Sequence, residues 1–281
     1  MTPKSLGHIQ PRRSQGSQTE GSCRPLVSPE PTRHCCCVVQ RNPSGIFAHR
    51  AVWVVQPCWE DARVGTPDVI LCDLDGTITD SIPGIYRCLR HALPVIGLPD
   101  MSDEQLRAFL GPPLHYTLKE VYSKSDDDVA AFVTSYRAEY FGGGEYEFEV
   151  FPGMAELIAD IGASPAALVL ATAKPIESAT RVLIKAGLLE FFDFVSGSEL
   201  DLLRQDKPSV IAHGLESIGV DASQVSAVMI GDRKEDVAGA HHFGFGAIGV
   251  LWGYSDEGEL VGAGADHVVS STDGIRSVIG L

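Results

Sequence analysis

The 281 residues suffice for one or two domains with a large core, and 44% hydrophobic with 21% charged residues is ordinary for a globular protein. A net charge of −15 argues against a nucleic acid or an anionic membrane as the main partner. The sequence has no apolar run long enough to cross a bilayer and no apolar segment of a signal peptide, so a cytoplasmic protein is expected.

Residues 1–64 differ from the rest. They carry 8 basic and 4 acidic residues, whereas the remainder carries 14 basic and 33 acidic residues. Gln, Ser, Pro, Arg and Gly dominate to about residue 45 without apolar periodicity, which predicts a disordered extension. It could be dispensable, result from a start codon assigned too early, or bind a partner. Five of the seven cysteines lie here, and their odd total argues against a disulfide framework and for a reducing compartment.

The apolar run 69–72 predicts a short buried strand, and Asp73, Asp75, Gly76 and Thr77 come directly after it. Residues i and i+2 point to the same side, so both carboxylates can face one crevice. Two carboxylates at so short a distance repel each other unless a cation or a shared proton lies between them. Mg²⁺ is a suitable cation because it prefers oxygen ligands. An acidic turn would use the same residues, because Asp-Gly is a common turn dipeptide.

Helical patterns follow as far as residue 149. Ser102 is a good N-cap, and Pro94 should kink or end the first helix. Gly111 and Pro112 begin a rigid turn, and three glycines from 142 to 144 break the pattern. The predicted helices are 82–97, 102–110, 114–122 and 126–141, so 82–149 is interpreted as an all-helical insertion.

From residue 150 onwards helices and strands alternate. The predicted helices are 153–162, 175–187, 207–218 and 234–243, the strands are 166–172, 193–196, 225–230 and 246–251, and short elements lie near 256–262, 267–269 and 272–279. This alternation predicts an α/β fold with a Rossmann-like parallel sheet covered by helices on both faces. In such sheets the ligand site lies at the carboxyl ends of the strands.

Other strand ends supply candidate partners for the two aspartates. Each candidate alone has an ordinary explanation, as a helix cap, a solvated lysine, a turn residue or a first-turn acid. Together they fall on the one edge that the first motif predicts, which favours a site over a set of independent coincidences. They are Thr172 and Lys174 after the strand 166–172, Lys207 at a helix start, and Asp232 and Asp236 after the strand 225–230.

With these residues the chain resembles the haloacid dehalogenase superfamily of phosphatases. Its four motifs are DLDGTITDS at 73–81, ATAK at 171–174, DKP at 206–208 and GDRKED at 231–236. The likeness covers about residues 67–281 and implies an α/β core at 65–81 and 150–281 with a small helical cap of subclass I at 82–149. Stretches such as GPPL at 111–114 and VFPGM at 150–154 are most similar to the phosphoglycolate phosphatase and 5′-nucleotidase-like branch.

The resemblance also implies roles. Asp73 would be the nucleophile, and Asp75 the general acid and base; dehalogenases of the superfamily normally lack the second aspartate, so its presence favours phosphoryl transfer. Thr172 and Lys207 would bind the phosphoryl oxygens. Mg²⁺ would be held by Asp73, Asp232, Asp236 and the backbone carbonyl of Asp75. The chain departs from the pattern at Ala173, where relatives often carry Ser or Asn.

Substrate-binding candidates fall into two groups. Gly76, Thr77, Ala173 and Lys174 belong to the motif loops, and Gly111, Pro112, His115, Arg137 and Arg204 would face a leaving group. Arg137 could instead pair with Glu139 or Glu145. A small acid would need an arginine, whereas a nucleotide would use an aromatic platform such as Tyr116 or Tyr136, and the sequence does not choose.

The predicted function is a Mg²⁺-dependent phosphomonoesterase that acts on a small phosphorylated metabolite, with no nucleic-acid or membrane partner and an oligomeric state left open. Two alternatives remain. One is a mutase or protein-directed phosphotransferase that uses the same aspartyl-phosphate, and the other is a non-catalytic binding protein. Cap hinges are expected near 80–84 and 144–152.

Overall fold

A computed structural model describes residues 66–110, 114–199, 204 and 206–281. The predicted extension 1–64 and the turn residues Gly111 and Pro112 lie outside the described residues. The strands of the described part are β1 (Val69–Cys72), β2 (Thr79–Asp80), β3 (Glu149–Val150), β4 (Ala167–Pro175), β5 (Phe194–Ser198), β6 (Ala227–Gly231), β7 (Gly246–Val250) and β8 (His267–Val269).

Six of these strands form one parallel sheet in the order β5-β4-β1-β6-β7-β8. β1 lies in the middle, and Cys72 at its end pairs in register with Leu170 of β4 and Ile230 of β6. The residues that follow these three positions therefore emerge together at one edge. The predicted parallel α/β fold is confirmed.

The helices are α1 (Ile82–Ala92), α2 (Asp103–Leu106), α3 (Leu114–Tyr116), α4 (Asp126–Phe141), α5 (Met154–Ala163), α6 (Ile176–Ala186), α7 (Lys207–Ser217), α8 (Lys234–His242), α9 (Glu259–Gly262) and α10 (Thr272–Ile279). α5, α6 and α10 cover one face of the sheet, and α7, α8 and α9 cover the other. Side chains of β1 alternate between these two apolar layers, so the strand is buried on both sides.

The helical segment differs in detail from the prediction. The first predicted helix ends as α1 at Ala92, and a 3-10 turn, Leu93–Ile96, takes in Pro94 before Gly97 adopts a left-handed φ of 71°. The second is shorter, because α2 passes into a 3-10 turn at Arg107–Phe109; Ser102 caps it as predicted. The third is a turn of α-helix followed by a π-helical stretch, Thr117–Val121.

A two-stranded antiparallel sheet, named the hairpin here, flanks the predicted helical insertion 82–149. β2 and β3 pair antiparallel, with Thr79 opposite Val150 and Asp80 opposite Glu149. They lie where the chain leaves the sheet and where it returns; β2 overlaps the expected hinge 80–84 at Asp80, and β3 lies within the expected hinge 144–152. Two-residue strands are too short to show a period in the sequence, which explains why the pattern missed them.

The helices between the hairpin strands have an apolar cluster of their own. It joins α1, α2 and α4 through residues such as Leu89, Leu106 and Phe132, which are fully buried. Tyr254, from the segment after β7, belongs to this cluster too. Among the residues described, no helix combines the length and apolarity needed to cross a bilayer.

Candidate active site

Asp73 and Lys207 form the centre of the site. The backbone N–H of Asp73 donates to the carbonyl of Ile230, which fixes the end of β1 against β6. Lys207 is the first residue of α7, whose N-cap Asp206 accepts a hydrogen bond from the Ser209 N–H at 2.7 Å. Its Nζ lies 3.1 Å from Asp73 Oδ1 and donates to the Ala171 carbonyl at 2.9 Å. One buried ammonium thus ties the ends of β1 and β4 to α7.

Asp236 is the second partner of Lys207, with its Oδ1 2.7 Å from Nζ. Its other oxygen accepts the Arg233 N–H at 3.0 Å, so the start of α8 holds the carboxylate in a capping arrangement. Gly231 permits this close approach, because a Cβ there would lie 2.2 Å from the Asp236 carboxyl carbon. Burial lowers the pKa of Lys207, but Asp236 and Asp73 raise it more, and the net shift is upward.

Asp73, Asp232 and Asp236 are all buried, and each places an oxygen within 4.8 Å of the other two. Burial is the main cause that raises the pKa of Asp73 to about 6, with Lys207 opposing it. Burial, followed by repulsion from Asp236 and Asp73, raises the pKa of Asp232 to about 8. These carboxyls gain protons easily because burial disfavours their charged form and the neighbouring carboxylates repel it.

The same cluster fits a hard divalent cation. Oδ1 of Asp73 and Oδ1 of Asp236 are buried and share the one ammonium of Lys207, which leaves the three carboxylates with excess negative charge. Buried carboxylates with excess negative charge are costly unless another positive group satisfies them. Three convergent carboxylates are the oxygen ligand set that Mg²⁺ uses.

Asp232 is held from several sides. Thr77 Oγ1 donates to its Oδ1 at 3.4 Å, and the Tyr254 N–H donates to its Oδ2 at 2.6 Å. Gly76, with φ of 85°, brings the loop so close that a Cβ would lie 2.2 Å from Asp232 Oδ2. Gly76 and Thr77, predicted to bind substrate, therefore lie at the site, and the Thr77 hydroxyl is used to orient Asp232.

Asp75 forms a second charged pair beside the first. Lys174 Nζ donates to both of its oxygens, at 2.9 and 2.8 Å, and Ser81 Oγ donates to Oδ1 at 2.5 Å. Tyr140 lies over the same ammonium, with Nζ 5.1 Å from the ring centroid. Burial lowers the pKa of Lys174, but Asp75 and Tyr140 raise it more, so the lysine stays charged.

The end of β4 supplies the remaining predicted residues. Thr172 is buried, and its Oγ1 accepts the Lys174 N–H at 3.3 Å. Ala173 is exposed at the same edge. The structure therefore brings the predicted nucleophile, acid–base residue, metal ligands, Thr172 and Lys207 to one rim, as the parallel sheet required.

The residues predicted to face a leaving group are more scattered. His115 is exposed on α3 and Arg137 is exposed on α4. The alternative pairing of Arg137 with Glu139 or Glu145 is wrong, because Glu139 binds Arg87 and Glu145 binds Arg181. Arg204 pairs with Glu199, which leaves its Nε buried without a hydrogen bond.

The two tyrosines considered as nucleotide platforms have different surroundings. Tyr136 belongs to a row of near-parallel rings along α4, 6.2 Å from Phe132 and 5.7 Å from Tyr140. The row follows from the i, i+4 spacing of the helix. Tyr116 is 55% exposed on α3.

Sequence reasoning missed two residues at the site. Ser81 stands inside the first motif, and its spacing from Asp75 was a usable signal. No sequence signal pointed to Tyr254, because it comes from a segment far along the chain. Its hydroxyl accepts the Ser81 N–H at 2.8 Å, and its own N–H holds Asp232. Tyr254 thus links a predicted metal ligand to the beginning of α1.

Comparison with known proteins agrees with this geometry. A family model described as haloacid dehalogenase-like hydrolase matches residues 70–250. A 5′-nucleotidase of Pseudomonas aeruginosa is 34% identical over 78% of this chain and 98% of its own length. The tyrosine-protein kinase PtkA of Mycobacterium tuberculosis is 32% identical over 77% of this chain and 74% of its own length. A crystal structure of a predicted phosphatase from Clostridium acetobutylicum superposes with a TM-score of 0.70 at 32% identity, covering 76% of this chain and 99% of that one.

Proposed function

The chain belongs to the haloacid dehalogenase-like hydrolases, and from this we propose that it is a Mg²⁺-dependent phosphomonoesterase that works through an aspartyl-phosphate. Its family and its phosphatase and nucleotidase relatives make it a hydrolase of phosphate monoesters. The observation that carries the proposal is the buried cluster of Asp73, Asp232, Asp236 and Lys207 with Asp75 beside it. We also propose a cytoplasmic location, on the sequence grounds given above.

Asp73 is placed for nucleophilic attack. It ends the central strand, and Lys207 keeps it close to the other charges of the site. Lys207 and Thr172 lie on the strands and helix next to it and would bind the oxygens of the transferring phosphoryl group. Fixed positive charge at that position stabilises the transition state without rearrangement.

Asp73, Asp232 and Asp236 would hold the metal ion through their carboxylates, with the carbonyl of Asp75 as a further ligand. When bound, Mg²⁺ would neutralise charge on the phosphoryl oxygens. Thr77 and the Tyr254 N–H keep Asp232 in place for this role.

Asp75 would transfer protons in both steps. In the first, an Asp73 oxygen attacks phosphorus, the bond from phosphorus to the ester oxygen breaks, and the Asp75 carboxyl gives its proton to that oxygen. In the second, the Asp75 carboxylate takes a proton from water. The resulting hydroxide attacks phosphorus, the bond to Asp73 breaks and phosphate leaves.

The substrate is proposed to be a small phosphorylated metabolite, either a phosphoglycolate-like acid or a nucleoside monophosphate. The relative named 5′-nucleotidase supports the second class. Among the candidates for leaving-group contacts, His115, Tyr116 and Arg137 are exposed on the helical segment and are proposed for this role. The division into core and cap, with hinges at β2 and β3, is part of the same proposal.

The test is phosphate release from a panel of esters, with and without Mg²⁺, by the wild type and Asp73→Asn. The panel contains phosphoglycolate, nucleoside monophosphates, sugar phosphates, p-nitrophenyl phosphate, pyrophosphate and phosphotyrosine. We expect release that requires Mg²⁺ and that falls by roughly 1,000-fold or more in Asp73→Asn, because the nucleophile is lost. Release that persists in the variant would refute the mechanism.

A second candidate is a phosphotransferase that passes the group from Asp73 to a protein or another metabolite. The relative named tyrosine-protein kinase favours this alternative. The product separates the two functions. A label that is trapped on Asp73 and appears on an acceptor, with no free phosphate, would support phosphotransfer, and free phosphate would support hydrolysis.

A further inference from the structure

The sequence places Lys174 among the substrate-binding residues, but the structure gives its ammonium another partner. Lys174 is the fourth and last residue of the ATAK motif, and its side chain is only 4% exposed. Its ammonium donates to each carboxylate oxygen of Asp75 and also contacts the Tyr140 hydroxyl. A lysine bound in this way has few N–H donors left for a substrate.

The position of this ammonium depends on two parts of the molecule. Its backbone belongs to β4, where the Lys174 N–H donates to Thr172. Its side chain is covered by Tyr140, a buried residue in the last turn of α4. Lys174 therefore lies between the sheet edge, which carries the chemistry, and the helical segment.

The Asp75 carboxylate accepts one further described hydrogen bond, from Ser81 just before α1. Ser81 alone leaves the carboxylate free to swing about its Cβ, whereas a lysine that contacts both oxygens also fixes the carboxylate plane. Burying a charged pair is costly, so its presence at this position calls for an explanation beyond stability.

We propose that Lys174, covered by Tyr140, is a positioning residue that aims the Asp75 carboxylate at the leaving group. The inference rests on the proposed function, since it needs Asp75 to transfer protons. Lys174 keeps its own protons throughout and acts only through Asp75. Because Tyr140 belongs to the helical segment, the orientation of the Asp75 carboxylate depends on how that segment packs on the sheet.

The chemistry gives this role a distinctive signature. A p-nitrophenolate leaves readily as an anion, whereas an alkoxide must be protonated as it leaves. The ratio kcat/KM reports events up to release of the leaving group, so a misdirected Asp75 should harm alkyl esters and spare aryl esters. The later attack of water also needs Asp75, so kcat should fall for both.

The experiment compares the wild type with Lys174→Met on p-nitrophenyl phosphate and on phosphoglycolate or a nucleoside 5′-monophosphate, whichever the wild type cleaves faster. For the alkyl ester we expect kcat/KM to fall about 100-fold, and for the aryl ester about threefold or less. A burst of p-nitrophenolate should precede the slower steady state. Lys174→Arg should restore much of the alkyl activity, because it keeps a bidentate cation.

Two further variants test the path through Tyr140 and the fold. Tyr140→Phe keeps a ring over the ammonium but removes the hydroxyl that also contacts it, so we expect a small selective loss, and Tyr140→Leu, which removes the ring as well, should show a larger one. Lys185→Met, at an exposed lysine of α6, is the matched control and should leave both kcat/KM values unchanged. Inhibition by orthovanadate and the Tm check that each variant binds and folds.

Each result decides the inference. Equal losses for aryl and alkyl esters would overturn it in favour of a purely structural lysine. A rise in KM confined to esters with an acidic leaving group would return Lys174 to substrate binding. If the wild type releases no phosphate from any ester with Mg²⁺, the proposed function itself fails, and that outcome is distinct from either.

Discussion

Charge balance explains the chemistry of the individual site residues. Asp73, Asp232, Asp236 and Lys207 together leave two excess negative charges, which one divalent cation would neutralise. Burial first, and repulsion between the carboxylates second, raise the pKa of Asp73 to about 6 and that of Asp232 to about 8, so protons can take the place of a cation. Protons and metal ion therefore compete for the same oxygens.

The competition predicts a pH-dependent response to Mg²⁺. The folded pKa of both carboxyls lies above the usual aspartate value, so their contribution to the metal-free fold is lost as pH rises through about 6 and then about 8. Mg²⁺ binds the deprotonated form. The increase in Tm caused by Mg²⁺ should therefore be larger near pH 8.5 than near pH 5.5.

Differential scanning calorimetry at both pH values, with and without Mg²⁺, measures this difference. Asp232→Asn removes one competing carboxyl and should reduce both the Mg²⁺ effect and its pH dependence. An increase in Tm that is the same at both pH values would contradict the assignment of these carboxyls as ligands.

At the scale of elements, the hairpin of β2 and β3 joins the helical segment to the sheet. Tyr254 contacts the end of β2, where the chain enters that segment. The Tyr254 hydroxyl accepts the Ser81 N–H and lies 3.3 Å from Asp80 Oδ1, while burial raises the pKa of the phenol and keeps it neutral. The loop after β7 thus contacts the start of α1 and a predicted metal ligand. Tyr254 thus links the hydrogen bonds of Ser81, which contacts Asp75, to those of Asp232.

This coupling predicts a specific effect of Tyr254→Phe. The backbone N–H to Asp232 remains, but the buried Ser81 N–H loses its acceptor at a cost of about 1–3 kcal/mol. We expect kcat to fall roughly 10-fold, because the Ser81 that holds Asp75 shifts, while Mg²⁺ affinity stays unchanged.

Steady-state kinetics and Mg²⁺ titrations measure both quantities. Tyr122→Phe is the control, since its hydroxyl contacts only Met101 Sδ, at 3.6 Å, among the described residues and lies away from the hairpin. A Tyr254→Phe variant that loses Mg²⁺ affinity in proportion to kcat would show that Tyr254 acts on the metal ligand instead.

At the scale of the whole molecule, the acidic body must accept an anionic substrate. Lys174 and Lys207 are the buried ammonium groups of the described residues, and both lie at the site. The other charges lie mostly at the surface, where solvent screens them. Local placement of two cations and a metal ion therefore matters more for substrate binding than the net charge does.

The predicted site residues all follow the extension 1–64, whose composition predicts disorder, and this leads to a prediction about the extension. A chain that begins at residue 66 should keep the kcat, KM and Mg²⁺ dependence of the full chain. Parallel kinetics on the two forms provide the check, with Tm to confirm that the shorter form folds. A loss of activity without a loss of Tm would favour the partner-binding or regulatory interpretation of residues 1–64.

The sequence by itself determined the parallel fold and the edge that carries Asp73, Thr172, Lys207 and Asp232. These features depend on local patterns, the period of buried strands and the rule that parallel strands end together. Only the tertiary structure paired Lys174 with Asp75, brought Tyr254 to the hairpin and bound Glu145 to Arg181. Such pairings join segments tens to hundreds of residues apart. Which charged or hydroxyl group a side chain meets there depends on packing distances that no local pattern encodes.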